Sequence, residues 1–201
     1  MNIFEKALAS SVFLALLFNF ASFQTKCETI SEKVLRIHIL ANSNSKEDQE
    51  LKLKVRDKIL EHSKYKFSSA QNKDEAVLLS QDSLQEIKQI AENEIQTLGY
   101  SYPVEIEFVK MYFTTRRYED ITLPAGNYDA VRIIIGQGKG KNWWCVMFPA
   151  ICLGSSDDPN KLDAVFNEDE KNIINSEKKY EFKFKCVEIY EKYKSWVSEL
   201  F

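Results

Sequence analysis

Asp129–Phe148 reads DAVRIIIGQGKGKNWWCVMF. Its two ends, Asp129–Ile135 and Trp143–Phe148, are rich in β-branched, aromatic and other apolar residues, the composition of strands. Between them Gly136, Gly138 and Gly140 place half of the chain's six glycines within five residues, beside Lys139 and Lys141. A glycine-rich link between consecutive strands predicts an antiparallel hairpin, longer than a two-residue turn and therefore bulged or mobile. That reading sets the expected sheet, and the other elements are placed around it.

Upstream, Lys33–Ala41 (KVLRIHILA) alternates Ile37, Ile39 and Ala41 with Arg36, His38 and Leu40, the period of a strand. The turn formers of NSNSKED follow. Ser45, with Asp48 three residues on, predicts a capped helix running to about His62. Leu51, Val55 and Ile59 fall four apart on its buried face. A second helix starts at Asn72, with Glu75 three residues later; Val77, Leu84, Ile87, Ala91, Ile95 and Leu98 form its stripe, and Gly99 ends it. Val104–Phe113 returns to strand, and Arg116–Tyr128 reads as a loop turned by Pro-Ala-Gly-Asn. The expected fold is α/β of the α+β type. It has a mainly antiparallel sheet of about four strands with two helices on one face, in β-α-α-β-β-β order, plus a C-terminal helix.

The ends differ from this core. Ala7–Gln24 is an uncharged run near the lower limit for a bilayer span, so residues 1–26 read as a signal peptide or a membrane anchor. From Gly154 the chain turns polar and acidic, and residues 155–201 read as a linker followed by a C-terminal strand and helix. Tyr180–Val187 (YEFKFKCV) alternates like an edge strand. The last helix groups Ile189, Tyr193, Trp196, Val197 and Leu200 on one face, which either docks back on the domain or meets a partner or membrane.

Chemistry is sparse. A phosphate loop needs a hydroxyl after Gly-Lys and a following helix. Here Gly140-Lys141 leads to Asn142 and a β pattern. A net charge of −3 without a basic stripe makes nucleic acid a poor partner. With two histidines and no two-residue cysteine spacing, neither a metal site nor a cofactor is expected. His38 reads as a structural residue, with Arg36 and Arg56 as its companions in a polar network fixing the first strand. Cys145 and Cys152 lie seven residues apart across Pro149, a loop that a disulfide can close if the Cβ atoms meet.

Arg36–Asp57 (RIHILANSNSKEDQELKLKVRD) and Leu123–Cys152 (LPAGNYDAVRIIIGQGKGKNWWCVMFPAIC) resemble the two hallmark blocks of the stage II sporulation protein R family. The resemblance spans residues 30–152, with a weaker echo in Tyr193–Phe201. It departs at Ala150, where a second proline is expected after Pro149. It implies that residues 30–154 are a signalling domain and that the protein is a ligand, not an enzyme. Such proteins are exported from the forespore into the space between forespore and mother cell. There they activate a membrane-embedded aspartic protease that processes pro-sigma-E. No small-molecule substrate is implied. The docking residues expected on this chain are Asn42, Ser43, Arg116, Gly138, Lys139, Gly140, Lys141, Asn142 and Trp143. The competing readings are a secreted hydrolase built on His38 and Cys145, and a wall-binding module built on Trp143 and Trp144.

Overall fold

The computed structural model describes residues 2–118, 121–149, 151, 160–175 and 177–198. The helices are α1 (Ile3–Glu32), α2 (Lys46–Ser68), α3 (Lys73–Asp82), α4 (Leu84–Thr97), α5 (Asn160–Val165), α6 (Glu168–Ile174) and α7 (Glu177–Ser198). The strands are β1 (Leu35–Leu40), β2 (Val104–Phe113), β3 (Arg116–Tyr118), β4 (Ile121–Leu123), β5 (Gly126–Ile135) and β6 (Asn142–Phe148). Contacts divide the chain into two compact units. One joins Lys33–Met111 with Tyr128–Val165; the other joins Met1–Glu32, Tyr112–Asn127 and Phe166–Phe201.

The α+β class holds, with a four-stranded sheet in the order β2-β5-β1-β6. The sheet is mixed: β1 runs parallel to β5 and antiparallel to β6. The predicted hairpin between β5 and β6 does not form, because β1 lies between them. Burial gives the reason. Leu35, Arg36, Ile37, His38 and Ile39 are all buried, so β1 is covered on both faces and takes a central place despite its polar alternation. The Gly136–Lys141 link therefore crosses two strand spacings, about 10 Å, over the C-terminal end of β1.

The helix starts follow the sequence signals. The Ser45 hydroxyl accepts from the Asp48 amide, and the Asn72 side chain accepts from the Glu75 amide. α2 continues to Ser68, beyond the expected end near His62. The second predicted helix is divided at Ser83, whose amide bonds back to Leu79 and Ser80 and closes α3. α4 then buries Ile87, Ala91 and Ile95 and ends at Gly99, which has φ +83°. Leu51, Val55 and Ile59 of α2 are buried as expected.

In the other unit, the C-terminal half of α1 buries Phe23, Cys27 and Ile30 in packing that involves α6 and α7. Arg116–Tyr118 and Ile121–Leu123, read as loop from sequence, pair as a small antiparallel ribbon. The expected linker is helical where described: an Asn167–Glu170 capping box opens α6. Tyr180–Val187 is a correction, since it lies inside helix α7 and forms no strand. α1 is long and apolar enough to cross a membrane by length and composition.

Candidate docking surface

The turn after β1 and the glycine link are knitted into one corner. The Lys139 amide donates to the Asn42 carbonyl at 3.1 Å, and the Gly140 amide to the Ala41 carbonyl at 2.9 Å. Asn42 Oδ1 accepts from the Gln137 amide at 3.0 Å, and Asn44 Oδ1 from the Lys141 amide at 2.8 Å. From below, the Lys52 ammonium donates to the Lys141 carbonyl at 2.8 Å, and Gln49 Nε2 donates to the Ser43 carbonyl at 2.8 Å. Sequence order thus makes a loop, and cross-bonding makes it a brace. Gly140 is required by close approach, because a Cβ there would overlap the Ser43 carbonyl. Gly136 combines φ +60° with Asn42 packed where its Cβ would be.

Asp48 anchors the brace from the first turn of α2. Asn42 Nδ2 donates to Asp48 Oδ2 at 2.8 Å. Burial works to raise the Asp48 carboxyl, but hydrogen bonds from Ser43, Asn42 and Tyr102 outweigh it and hold the group below its ordinary range. Lys52 is buried, and burial, then Arg56 and Lys141, lower its ammonium pKa. Lys139, Lys141 and Asn142 remain exposed, so the corner presents donors and positive charge over a fixed backbone.

The pairing of β1 with β6 sorts the remaining candidates by face. His38 lies opposite Trp144, and Ile39 opposite Trp143. The Trp144 ring meets His38 edge-on at 5.5 Å, whereas Trp143 lies beneath the Arg56 guanidinium at 5.1 Å on the face covered by α2. Asn142 shares the His38 face and Trp143 the opposite one, although they are neighbours in sequence. The predicted network is likewise split. Arg36, buried over the Tyr128 ring at 4.8 Å, and His38 share one face, while Arg56 caps the other. Burial chiefly lowers the His38 pKa to about 4. The neighbouring Asn142 side chain opposes this, and Arg132 and Arg36 add to it.

The structure therefore brings Asn42, Ser43, Gly138, Lys139, Gly140, Lys141 and Asn142 to one corner, while Trp143, next in sequence, is half-buried and turns to the α2 face. Arg116 is exposed on β3 in the other compact unit. Asn44, Gln49 and Lys52 also join the corner, and Asp48, expected only as the partner of the Ser45 cap, anchors it; the turn-forming NSNSKED run is the signal for Asn44 and Asp48. Cys145 is disulfide-bonded, Cys27 and Cys186 are free, and Cys152 lies outside the described residues. The register puts Cys145 opposite Ile37, on the face away from His38, so these two do not form a nucleophile–base pair. Among the described residues no group of His, Cys, Asp and Glu could hold a metal ion.

Comparison with known proteins adds an independent finding. The family model for stage II sporulation protein R matches residues 31–158. "Stage II sporulation protein R" of Bacillus subtilis (strain 168) is 37% identical over 124 residues, which cover 62% of this chain and 55% of that protein. The alignment thus spans about half of that relative's length. No solved structure matches.

Proposed function

The chain belongs to the stage II sporulation protein R family, and from that premise we propose that it is an exported signal between the two cells of a sporulating bacterium. It leaves the forespore through its N-terminal apolar segment, either cleaved or retained as an anchor. In the intermembrane space it activates a membrane-embedded aspartic protease, which then processes pro-sigma-E in the mother cell. The protein contributes a surface and no catalytic group. The observation that carries this reading is the braced corner at Asn42–Ser43 and Gly138–Trp143. Its backbone is fixed by bonds inside the chain, while Lys139, Lys141 and Asn142 face outward. A preorganised polar surface loses little entropy on docking, and its positive charge suits carboxylates on a partner.

The test is co-expression of the full chain with the protease and its precursor substrate. Joint replacement of Lys139, Asn142 and Trp143 by alanine is expected to reduce precursor cleavage at least tenfold, on the order of 1.4 kcal/mol of lost interaction, with export unchanged. Normal cleavage by a properly exported triple variant would remove this surface from the mechanism.

A further inference from the structure

α7 has two apolar faces, and only one is used inside the protein. Inward, Phe184, Val187 and Glu191 are buried, Tyr180 stacks on Phe23 at 5.4 Å, and Gln24 Nε2 donates to Glu191 at 2.6 Å. Outward, Phe182 is 82% exposed, Ile189 61%, Tyr193 61% and Trp196 57%, with Cys186 half-buried among them. Residues 182, 186, 189, 193 and 196 are spaced four, three, four and three apart. That 3.5-residue mean is the period of a coiled-coil seam, which calls for a helix as its counterpart.

The flanks specify the counterpart further. Between Phe182 and Trp196, the charged residues at positions bordering the seam are Lys183, Lys185 and Lys192. Lys183 is turned to α1, whereas Lys185, paired with Glu188 at 2.8 Å yet largely exposed, and Lys192, also exposed, supply the positive border. A second copy of this helix has no carboxylate at those bordering positions. A lipid surface also fits poorly. Lys183 meets Asn19 at 2.8 Å and Glu191 meets Gln24, so α7 and α1 ascend in the same direction. Trp196 lies 13 residues beyond Lys183, about 20 Å along the axis. A bilayer around the exposed uncharged stretch Ala7–Phe18 would therefore reach the Phe182 end and leave Tyr193 and Trp196 clear.

We propose that the outer face of α7 docks a helix of a different protein, one with an apolar 3.5-residue seam bordered by Glu or Asp. This surface rests on α7 alone and is independent of the braced corner.

The test uses the full chain in neutral phosphatidylcholine nanodiscs. The probes are two synthetic helical peptides, each about four heptads long, with the same Leu/Ile seam and either Glu or Lys at the bordering positions. Maleimide labelling of Cys186, followed by peptide mapping, reads occupancy of the seam. The Glu-bordered peptide is expected to slow labelling about tenfold, and the Lys-bordered peptide to leave it unchanged. Ile189→Asp, at an exposed position, is expected to abolish the protection. Equal protection by both peptides, or by neither, would overturn the proposal. So would protection without peptide on moving to phosphatidylglycerol nanodiscs, which would mark a lipid site, or protection that rises with the chain's own concentration, which would mark a self-association face.

Discussion

The braced corner and the outer face of α7 are both exposed, but they are built on opposite principles. At the corner, backbone amides of Lys139, Gly140 and Lys141 are bonded to Ala41, Asn42 and Asn44, and the outward groups are polar. On α7 the backbone is ordinary helix, and the outward groups are Phe182, Ile189, Tyr193 and Trp196. The corner owes its shape to long-range bonds between segments some 95 residues apart, such as Asn42 with Gln137. The seam owes its shape to local helix geometry. Damage to the corner should therefore propagate into the fold, while damage to the seam should stay on the surface.

The largest expected effect is that of Gly140→Ala. The new methyl group must displace the Ser43 carbonyl, and the bonds to Ala41 and Asn42 go with it. A loss of about 3–4 kcal/mol is expected, read by chemical denaturation of the full chain. A wild-type midpoint would show that the brace yields freely and is not the rigid element described above.

The next effect is pH dependence behind the corner. His38 has a folded pKa of about 4 against an ordinary 6.5, so between these values the unfolded chain binds more protons. The stabilisation is complete above pH 6.5 and is lost as pH falls to 4. Its size is about 3 kcal/mol. His38→Gln should flatten that part of the stability profile, whatever its effect at neutral pH; an unchanged slope would assign the titration to other groups.

The smallest effect is expected on the other side of the comparison. Ile189→Asp should change folding stability by less than about 0.5 kcal/mol, measured in the same denaturation assay. A loss comparable to that of Gly140→Ala would mean that the seam already belongs to the core.

Much of the helical layout was legible in the sequence because its signals are local. The Ser45–Asp48 and Asn72–Glu75 caps, and the end at Gly99, each depend on residues within one turn. Strand pairing was not legible, because it depends on which distant strand competes. Asp129–Ile135 and Trp143–Phe148 look like hairpin arms, yet β1, from far upstream, takes the place between them. Tyr180–Val187 misled for a different reason. A helix that is apolar on two faces sets Phe182 outward and Phe184 inward, and in sequence this imitates strand alternation. At the corner, the membership of Asn42, Ser43 and the glycine link was readable. That Asn42 serves as a brace, and that Asn142 and Trp143 face opposite ways, required the register.

The central position of β1 also bears on the order in which the protein can be made. Leu35–Leu40 leaves the ribosome early, but its two neighbours, Asp129–Ile134 and Asn142–Phe148, follow only after most of the domain. At about 5–20 residues per second, the buried strand waits for seconds with both edges unpaired, and it cannot join the sheet until both late strands have emerged. A chain truncated before Phe148 has no route to the native sheet. Delivery in an unfolded state is thus compatible with this topology, because the last part to appear completes the sheet around the first strand.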